Sequence, residues 1–358
     1  MKAALNDSFA GKRVCFFAGV GSTAALLERQ WYQSDIRILR ELGFDVVIAV
    51  SPRQIPLGCD LYFSWWPTRS IFPLAVAKLS RKPIIIVVGG EEVLNSIRTP
   101  ESYHSKPVPV RWAIRTCLRH ADCVLTLSAH IRKEAANLHG REILMVPPGI
   151  DTVQYSPGNE AEKGGYILTI SKLGENHFHR KRIGVILEAI PLVLERYPEQ
   201  RFLIAGPKAE AFPRIEQMVA RLGIEDRVRF TGRITDAQKL ELLRGAQIYL
   251  QPTLHEGFGV AIAEAMSCGL PVITSAVGAV PEVVGDCAVF VDPDRPEQMA
   301  EAIIQLLADP ECRARLGRAS RRRIEELFAY EKRKARLAEI LEDLLVSSRS
   351  AEQRKKRR

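Results

Sequence analysis

No apolar stretch in this 358-residue chain approaches the roughly 18 residues that a membrane-spanning helix needs. The strongest, Ile84 to Val88, has the length of one buried strand. Asp7, Lys12 and Arg13 interrupt any apolar core near the N-terminus, which argues against a signal peptide. The seven cysteines, at 15, 59, 117, 123, 268, 287 and 312, form no CxxC motif and have no histidine at ligand spacing. That excludes a disulfide scaffold and structural zinc, and leads us to expect reduced thiols in a cytoplasmic setting. The seven histidines include no i, i+4 pair beside a carboxylate, so no metal is expected. There is no recognisable nucleic-acid module and no basic stripe interleaved with aromatics, so nucleic acid is not expected as a partner.

What is present is the composition of an ordinary folded chain, 46% hydrophobic and 26% charged. Its length suits two α/β domains better than one core. The net charge of +9 is unevenly placed: residues 1–158 carry +6 and the last ten residues +5, leaving the remainder at −2. A basic first domain and tail suit an anionic membrane face or acceptor, and equally a plain solvated surface.

Along the chain, RVCFFA (13–18) is a short apolar run followed by the turn-prone GVGST (19–23), a helical stretch to Glu41 and a second apolar run, Asp45 to Val50. Strand, Gly-rich turn, helix and strand open a doubly wound parallel sheet. Further runs at 61–63, 84–88, 123–127 and 143–146 continue it. PPGID (147–151) marks a break, and SPGNEAEKGG (156–165) reads as an interdomain linker. The pattern then restarts with YILTIS (166–171), RFLIAG (201–206), VRF (228–230), IYLQP (248–252), PVIT (271–274) and AVFVD (288–292). The fold expected is therefore α/β, with two Rossmann-like domains at 1–158 and 159–327 facing a cleft. A closing helix over 328–348 packs back toward the first domain, and a basic disordered tail occupies 349–358.

The most informative stretch is EGFGVAIAEAMSCGLPV (256–272). Gly257 and Gly259 flank Phe258 where a strand gives way to a helix, whose first N–H groups are left for an anion such as a diphosphate. Glu264 lies about one turn into an Ala/Ile/Met-rich helix, where a buried carboxylate needs a partner. A ribose diol would satisfy both oxygens. Glu256, at the loop end, is placed to accept from sugar hydroxyls. Alone, two glutamates eight positions apart fit a cap and a solvated helix face equally well.

This stretch resembles the E-x7-E signature of the retaining glycosyltransferases of family 4 (group 1), whose fold is GT-B. GVGST is similar to that family's Gly-rich loop, Ala121-Asp122 with Ser128 to its "AD…S" block, and PPGID to its "NGvD" block. VRFTGR (228–233), VGAVPEVVGD (277–286) and VFVDPDRPEQMAEAI (289–303) fit as well. The resemblance covers most of the chain and is strongest from 166 to 330. It implies a metal-independent hexosyltransferase using a nucleoside-diphosphate sugar, with retention of anomeric configuration and no resident cofactor. The acceptor is left open as a glycan, lipid or small molecule.

The resemblance also implies roles. In SKLGENHFHRKRIGVILEA (171–189), Lys181 falls at the family's lysine, which stabilises the leaving diphosphate. Lys172 stands where an arginine is usual, and a point charge lacks the bidentate fork, so Arg180 or Arg182 is a candidate helper. Glu264 would hold the ribose and Glu256 the donor sugar. The amides of Gly257, Phe258, Gly259 and Val260, with Gly19 and Gly21, would complete the cradle. The base would rest near Gly206 and the backbone of Arg233 and Ile234. Family members often carry a histidine after the fourth strand; VVGGEEVLNS (87–96) has none, and Glu91 or Glu92 is the candidate for contact with acceptor or donor sugar. His104, the nearest imidazole, reads as an ordinary loop histidine.

Weaker signals resolve against other classes. GVG lacks the third glycine of a dinucleotide fingerprint, and Asp292-Pro293-Asp294 belongs to a turn before a helix rather than to a metal site. Arg111, Arg115 and Arg119 recur along one helix near Trp112, and residues 67–82 mix apolar and basic positions. Such segments suit peripheral attachment to the inner face of an anionic membrane, or a core-packed helix with a solvated face. Two alternatives to the transferase remain: a silent GT-B scaffold that binds a partner or membrane, and a GT-B epimerase or hydrolase.

Overall fold

The structure is a computed structural model that describes residues 9–94, 102–139, 142–159 and 164–356. Residues 160–163 of the linker, 95–96 of the loop after the fourth strand, Asp7 and the last two residues lie outside this set. The chain forms two compact units, Met1–Gly149 with Tyr330–Arg358, and Ile150–Ala329. The boundary read from the sequence at 158 thus falls inside the second unit.

The first unit holds β1 (Arg13–Ala18), β2 (Asp45–Ala49), β3 (Leu61–Trp65), β4 (Ile84–Val88), β5 (Cys123–Thr126) and β6 (Leu144–Met145), ordered β2-β1-β3-β4-β5-β6. Every pairing is parallel. β3 and β4 are buried along their whole length because helices cover both faces of such a sheet, and IIIVV supplies the β-branched residues that pack there. Because β2 and β3 flank β1 on opposite sides, the chain reverses its direction of travel between β1 and β3. Loops diverge at such a switch point and leave a crevice outside the carboxyl ends of the strands.

The last helix, Tyr330–Lys356, belongs to this unit. It runs on past 348, where the sequence reading places a disordered tail. Its anchor is Arg333, which is buried and forms a bidentate pair with buried Asp35 at 2.7 and 2.9 Å. Arg333 also donates to the carbonyls of Val146 (2.6 Å) and Pro147 (2.9 Å). Trp65 Nε1 donates to Asp35 Oδ2 at 3.0 Å. Lys334 pairs with Glu41 at 2.7 Å, and the Arg37 guanidinium lies over the Tyr330 ring.

The second unit holds β7 (Tyr166–Ile170), β8 (Arg201–Ala205), β9 (Val228–Phe230), β10 (Ala246–Gln251), β11 (Val272–Thr274) and β12 (Ala288–Phe290), ordered β12-β11-β10-β7-β8-β9 and again parallel. Here the switch point lies between β7 and β10. Helices flank this sheet; Phe212–Leu222, for example, buries Phe212, Ile215 and Val219 at helical spacing.

Candidate active site

The switch point of the second unit is where the expected charged residues meet. Lys181 follows the short helix Glu175–Arg180, and its Nζ donates to the carbonyl of Ile170 at the end of β7 (3.2 Å) and to Gln251 Oε1 at the end of β10 (3.2 Å). Gln251 Oε1 also accepts from the Tyr249 hydroxyl (2.9 Å), while its Nε2 donates to Glu256 Oε1 (2.9 Å). Arg180 Nη1 reaches the same Glu256 oxygen at 3.0 Å and the His255 carbonyl at 3.1 Å. The carbonyl of Arg180 accepts from Leu254 N (2.8 Å) and Thr253 Oγ1 (3.1 Å), so both ends of the residue are tied to the loop after β10.

Electrostatics follow from this packing. Burial pushes the Lys181 ammonium down to about 8, against the upward pull of Glu256 and Glu264. Burial alone would raise the Glu256 carboxyl, but Arg180 and Lys181 outweigh it and hold it below the usual carboxylate range. The result is a carboxylate and two cations gathered around one amide.

Glu264 lies in the helix Val260–Ser267 and is buried, as its sequence environment suggests. Its need for a partner is met within the protein: Lys239 Nζ stands 3.0 Å from Glu264 Oε1 and 5.1 Å from the centre of the Tyr155 ring. Burial holds the Glu264 carboxyl above its ordinary range, with Lys239 partly offsetting it. Burial works to lower the Lys239 ammonium, yet Glu264 and Tyr155 carry it above its ordinary value. Gly259 caps this helix, and its carbonyl accepts the first helical bond, from Ala263 N at 3.0 Å; Val260 is the first helical residue. Gly257 is half-buried beside them. The Phe258 side chain is buried in an edge-on pair with Phe328, so this residue could offer a ligand only its backbone. Gly206 pairs with Gly232 (N to O, 3.1 Å), which brings it beside Arg233 and Ile234.

Other expected residues stand elsewhere. The Lys172 side chain is exposed and makes no hydrogen bond or ion pair with the Lys181–Glu256 group among the described residues. Arg182 pairs with Asp294. Arg180 therefore takes the place beside Glu256, because the helix Glu175–Arg180 carries the loop past Lys172 before it returns to the strand ends. Gln251 is not among the residues expected from the sequence. The signal that could have found it is a polar residue ending an otherwise apolar strand, at the carboxyl edge where ligands bind.

In the first unit, Glu92 turns inward. It is buried and accepts from the amides of Gly89 (2.9 Å) and Gly90 (3.1 Å), and burial pushes its carboxyl up to about 7 against those amides. Glu91, beside it, is half-buried. His104 is exposed, edge-on to Tyr103. Gly21 is exposed with open space around it, whereas Gly19 makes room for a protein side chain: a Cβ there would overlap the stem of Arg69, whose Nη1 donates to the Gly19 carbonyl at 2.9 Å.

Two doubly wound parallel sheets of this kind define the GT-B glycosyltransferase fold. The Anabaena protein Alr3699/HepE, solved in complex with UDP and glucose, shares it with a TM-score of 0.74 at 16% identity, over 93% of this chain and all of that one. Residues 157–323 match the family model of glycosyl transferases group 1. Among curated relatives, it is 31% identical over 209 residues to the MMP alpha-(1->4)-mannosyltransferase of Mycolicibacterium hassiacum, covering 57% of this chain and 49% of that protein. It is 29% identical over 195 residues to the phosphatidylinositol N-acetylglucosaminyltransferase gpi3 subunit of Schizosaccharomyces pombe, covering 54% and 41%. The chain thus spans about half the length of these curated relatives.

Proposed function

We propose that this chain transfers a hexose-type sugar from a nucleoside-diphosphate donor to an acceptor, with retention of anomeric configuration and without a metal. The observation that carries the reading is the Lys181–Gln251–Glu256–Arg180 group at the carboxyl ends of β7 and β10. Departure of a nucleoside diphosphate concentrates negative charge on its oxygens, and preorganised cations stabilise that charge. Lys181 and Arg180 supply two, with Arg180 in the part that the family resemblance assigns to Lys172. Glu256 accepts from the donor sugar's hydroxyls and Glu264 from the ribose diol. The amides of Gly257 to Val260 receive phosphate or sugar oxygens, and the base lies by Gly206, Arg233 and Ile234.

In the transfer itself, the bond from the anomeric carbon to the phosphate oxygen breaks with its electron pair going to phosphate. The acceptor oxygen bonds to the same face of that carbon, and its proton passes to the departing phosphate oxygen. The test is donor binding across UDP-, GDP- and ADP-sugars with EDTA present. One nucleotide class is expected to bind, Glu264→Gln and Arg180→Met each to weaken binding about tenfold or more, and Lys172→Ala to leave it within twofold. Binding by none of the donors, or a loss confined to Lys172→Ala, would overturn these assignments.

The acceptor side of the proposal includes an anionic membrane. Helices Ile71–Ser80 and Val108–His120 of the first unit expose Leu79 (81%), Val108 (67%) and Trp112 (63%), together with Phe72. Arg115 and Arg119 lie on the exposed face of the second helix. Exposed apolar side chains and cations on the same helix suit the interface of an anionic leaflet, where each cation near the surface adds about 1 kcal/mol. Sedimentation with phosphatidylglycerol vesicles is expected, with little binding to phosphatidylcholine and about tenfold loss in a Leu79→Ser/Trp112→Ser variant. Equal binding to both vesicle types would remove the anionic membrane from the reading.

A further inference from the structure

β10 ends on a buried amide. Side chains alternate along a strand, so Tyr249 and Gln251 share one face, and the Tyr249 hydroxyl donates to Gln251 Oε1 at 2.9 Å. The residue is also fixed from the neighbouring strand, where Thr274 of β11 pairs with it and donates its hydroxyl to the Gln251 carbonyl at 2.8 Å. On the side of β7, Lys181 Nζ donates to the same Oε1 at 3.2 Å. The other pole of the amide, Nε2, donates to Glu256 Oε1 at 2.9 Å.

Only one orientation of this amide fits its surroundings. A lysine ammonium has donors and no acceptor, and an ionised carboxylate only accepts. Turned over, the amide would set its N–H groups against the Lys181 ammonium and its oxygen against the Glu256 carboxylate. Burial pushes the Tyr249 phenol far above its ordinary value, so it stays protonated and remains a donor on the oxygen's side.

The amide therefore stands between a cation and an anion that have reason to pair. Lys181 and Glu256 are near enough to shift one another's titration, yet no direct ion pair joins them among the described residues. Arg180, by contrast, reaches Glu256 Oε1 at 3.0 Å. The charges in play are few: Arg180, Glu256 and Glu264 act on Lys181, and His255 joins Arg180 and Lys181 in acting on Glu256. An ammonium locked onto a carboxylate is already neutralised and has less to give a diphosphate. A neutral side chain with one accepting and one donating pole satisfies both groups and cancels neither.

We propose that Gln251 is a positioning residue, a spacer whose amide keeps Lys181 and Glu256 from pairing, so that the cation stays available to the leaving diphosphate and the carboxylate to the donor sugar. The inference rests on the transferase reading above and adds what holds its two charges apart.

Gln251→Met keeps the volume and removes both poles. The test makes this change in the full chain with and without Glu256→Gln, so that the coupling between the two positions is isolated. It is read by the titration of Lys181 in carbon-13 lysine NMR, assigned with Lys181→Arg, and by the affinity for UDP and GDP at neutral pH. In the wild type Lys181 is expected to titrate at about 8. Gln251→Met should raise that value by at least about one pH unit, because the ammonium falls onto Glu256. A residue that merely solvated the lysine or filled space would lower the value or leave it unchanged when removed. With Glu256→Gln in place, the same change should produce no rise. Affinity for the nucleotide that binds should drop about tenfold on Gln251→Met alone, and less than about twofold in the Glu256→Gln background. A Lys181 value unchanged or lowered by Gln251→Met, or equal losses of affinity in both backgrounds, would overturn the spacer. Lys181 values that move as expected while neither nucleotide binds would support the separation of charges and overturn the transferase reading beneath it.

Discussion

Lys181→Met is expected to lower turnover by about 100- to 1,000-fold, the usual cost of removing one preorganised group from a developing oxyanion. The reason lies in where the ammonium is held. Its two fixed acceptors, the Ile170 carbonyl and Gln251 Oε1, stand at the ends of adjacent strands, so the cation is aimed before any ligand arrives. Burial lowers it to about 8, which also predicts a pH dependence. The charged form is full below that value and lost as pH rises through it. Diphosphate affinity in the wild type should therefore fall above pH 8, by at most about tenfold per unit. Lys181→Met should bind weakly at all pH values without that fall, and Lys181→Arg should move the fall beyond the range in which the protein is handled. A methionine variant that kept the wild-type profile would show that another group titrates, and Lys181 would lose its assigned role.

Arg333→Met is expected to destabilise the first unit by about 3–5 kcal/mol, because it leaves the Asp35 carboxylate buried without its bidentate partner. It also strips Val146 and Pro147 of donors and frees the start of the last helix from the helix Gln30–Glu41. Adding Asp35→Asn should recover part of the loss, since the unpaired charge is then gone. The measurement is urea unfolding followed by probes in each unit, because two units need not melt together. A shift confined to the second unit, or a double variant worse than the single, would contradict this account.

Much of the architecture is legible from local pattern alone. Apolar runs such as IIIVV and YILTI could only be buried strands, and their alternation with helical stretches requires crossovers and hence parallel sheets. The turn residues and the E-x7-E spacing likewise place Glu256 in the loop before one helix and Glu264 about one turn into it, without any knowledge of what faces them.

Partners across the sheet are another matter. The sequence reading puts Lys172 at the diphosphate with Arg180 or Arg182 as a candidate helper, and only the path of the helix Glu175–Arg180 sets Arg180 against Glu256. Glu264 reads as a buried carboxylate in want of a partner, but Lys239, 25 residues away on another helix, leaves no mark in its neighbourhood. Glu92 and Glu91 are indistinguishable as neighbours in sequence; the fold turns one inward onto the Gly89 and Gly90 amides. Gly19 reads as part of a ligand cradle, and the structure fills the space beside it with Arg69. The sequence by itself determined the elements, their order and the identity of the charged residues, because periodicity and turn chemistry act over a few neighbours. Which of those residues meet was decided by the tertiary structure, because strand order and loop path bring together residues that no local pattern relates.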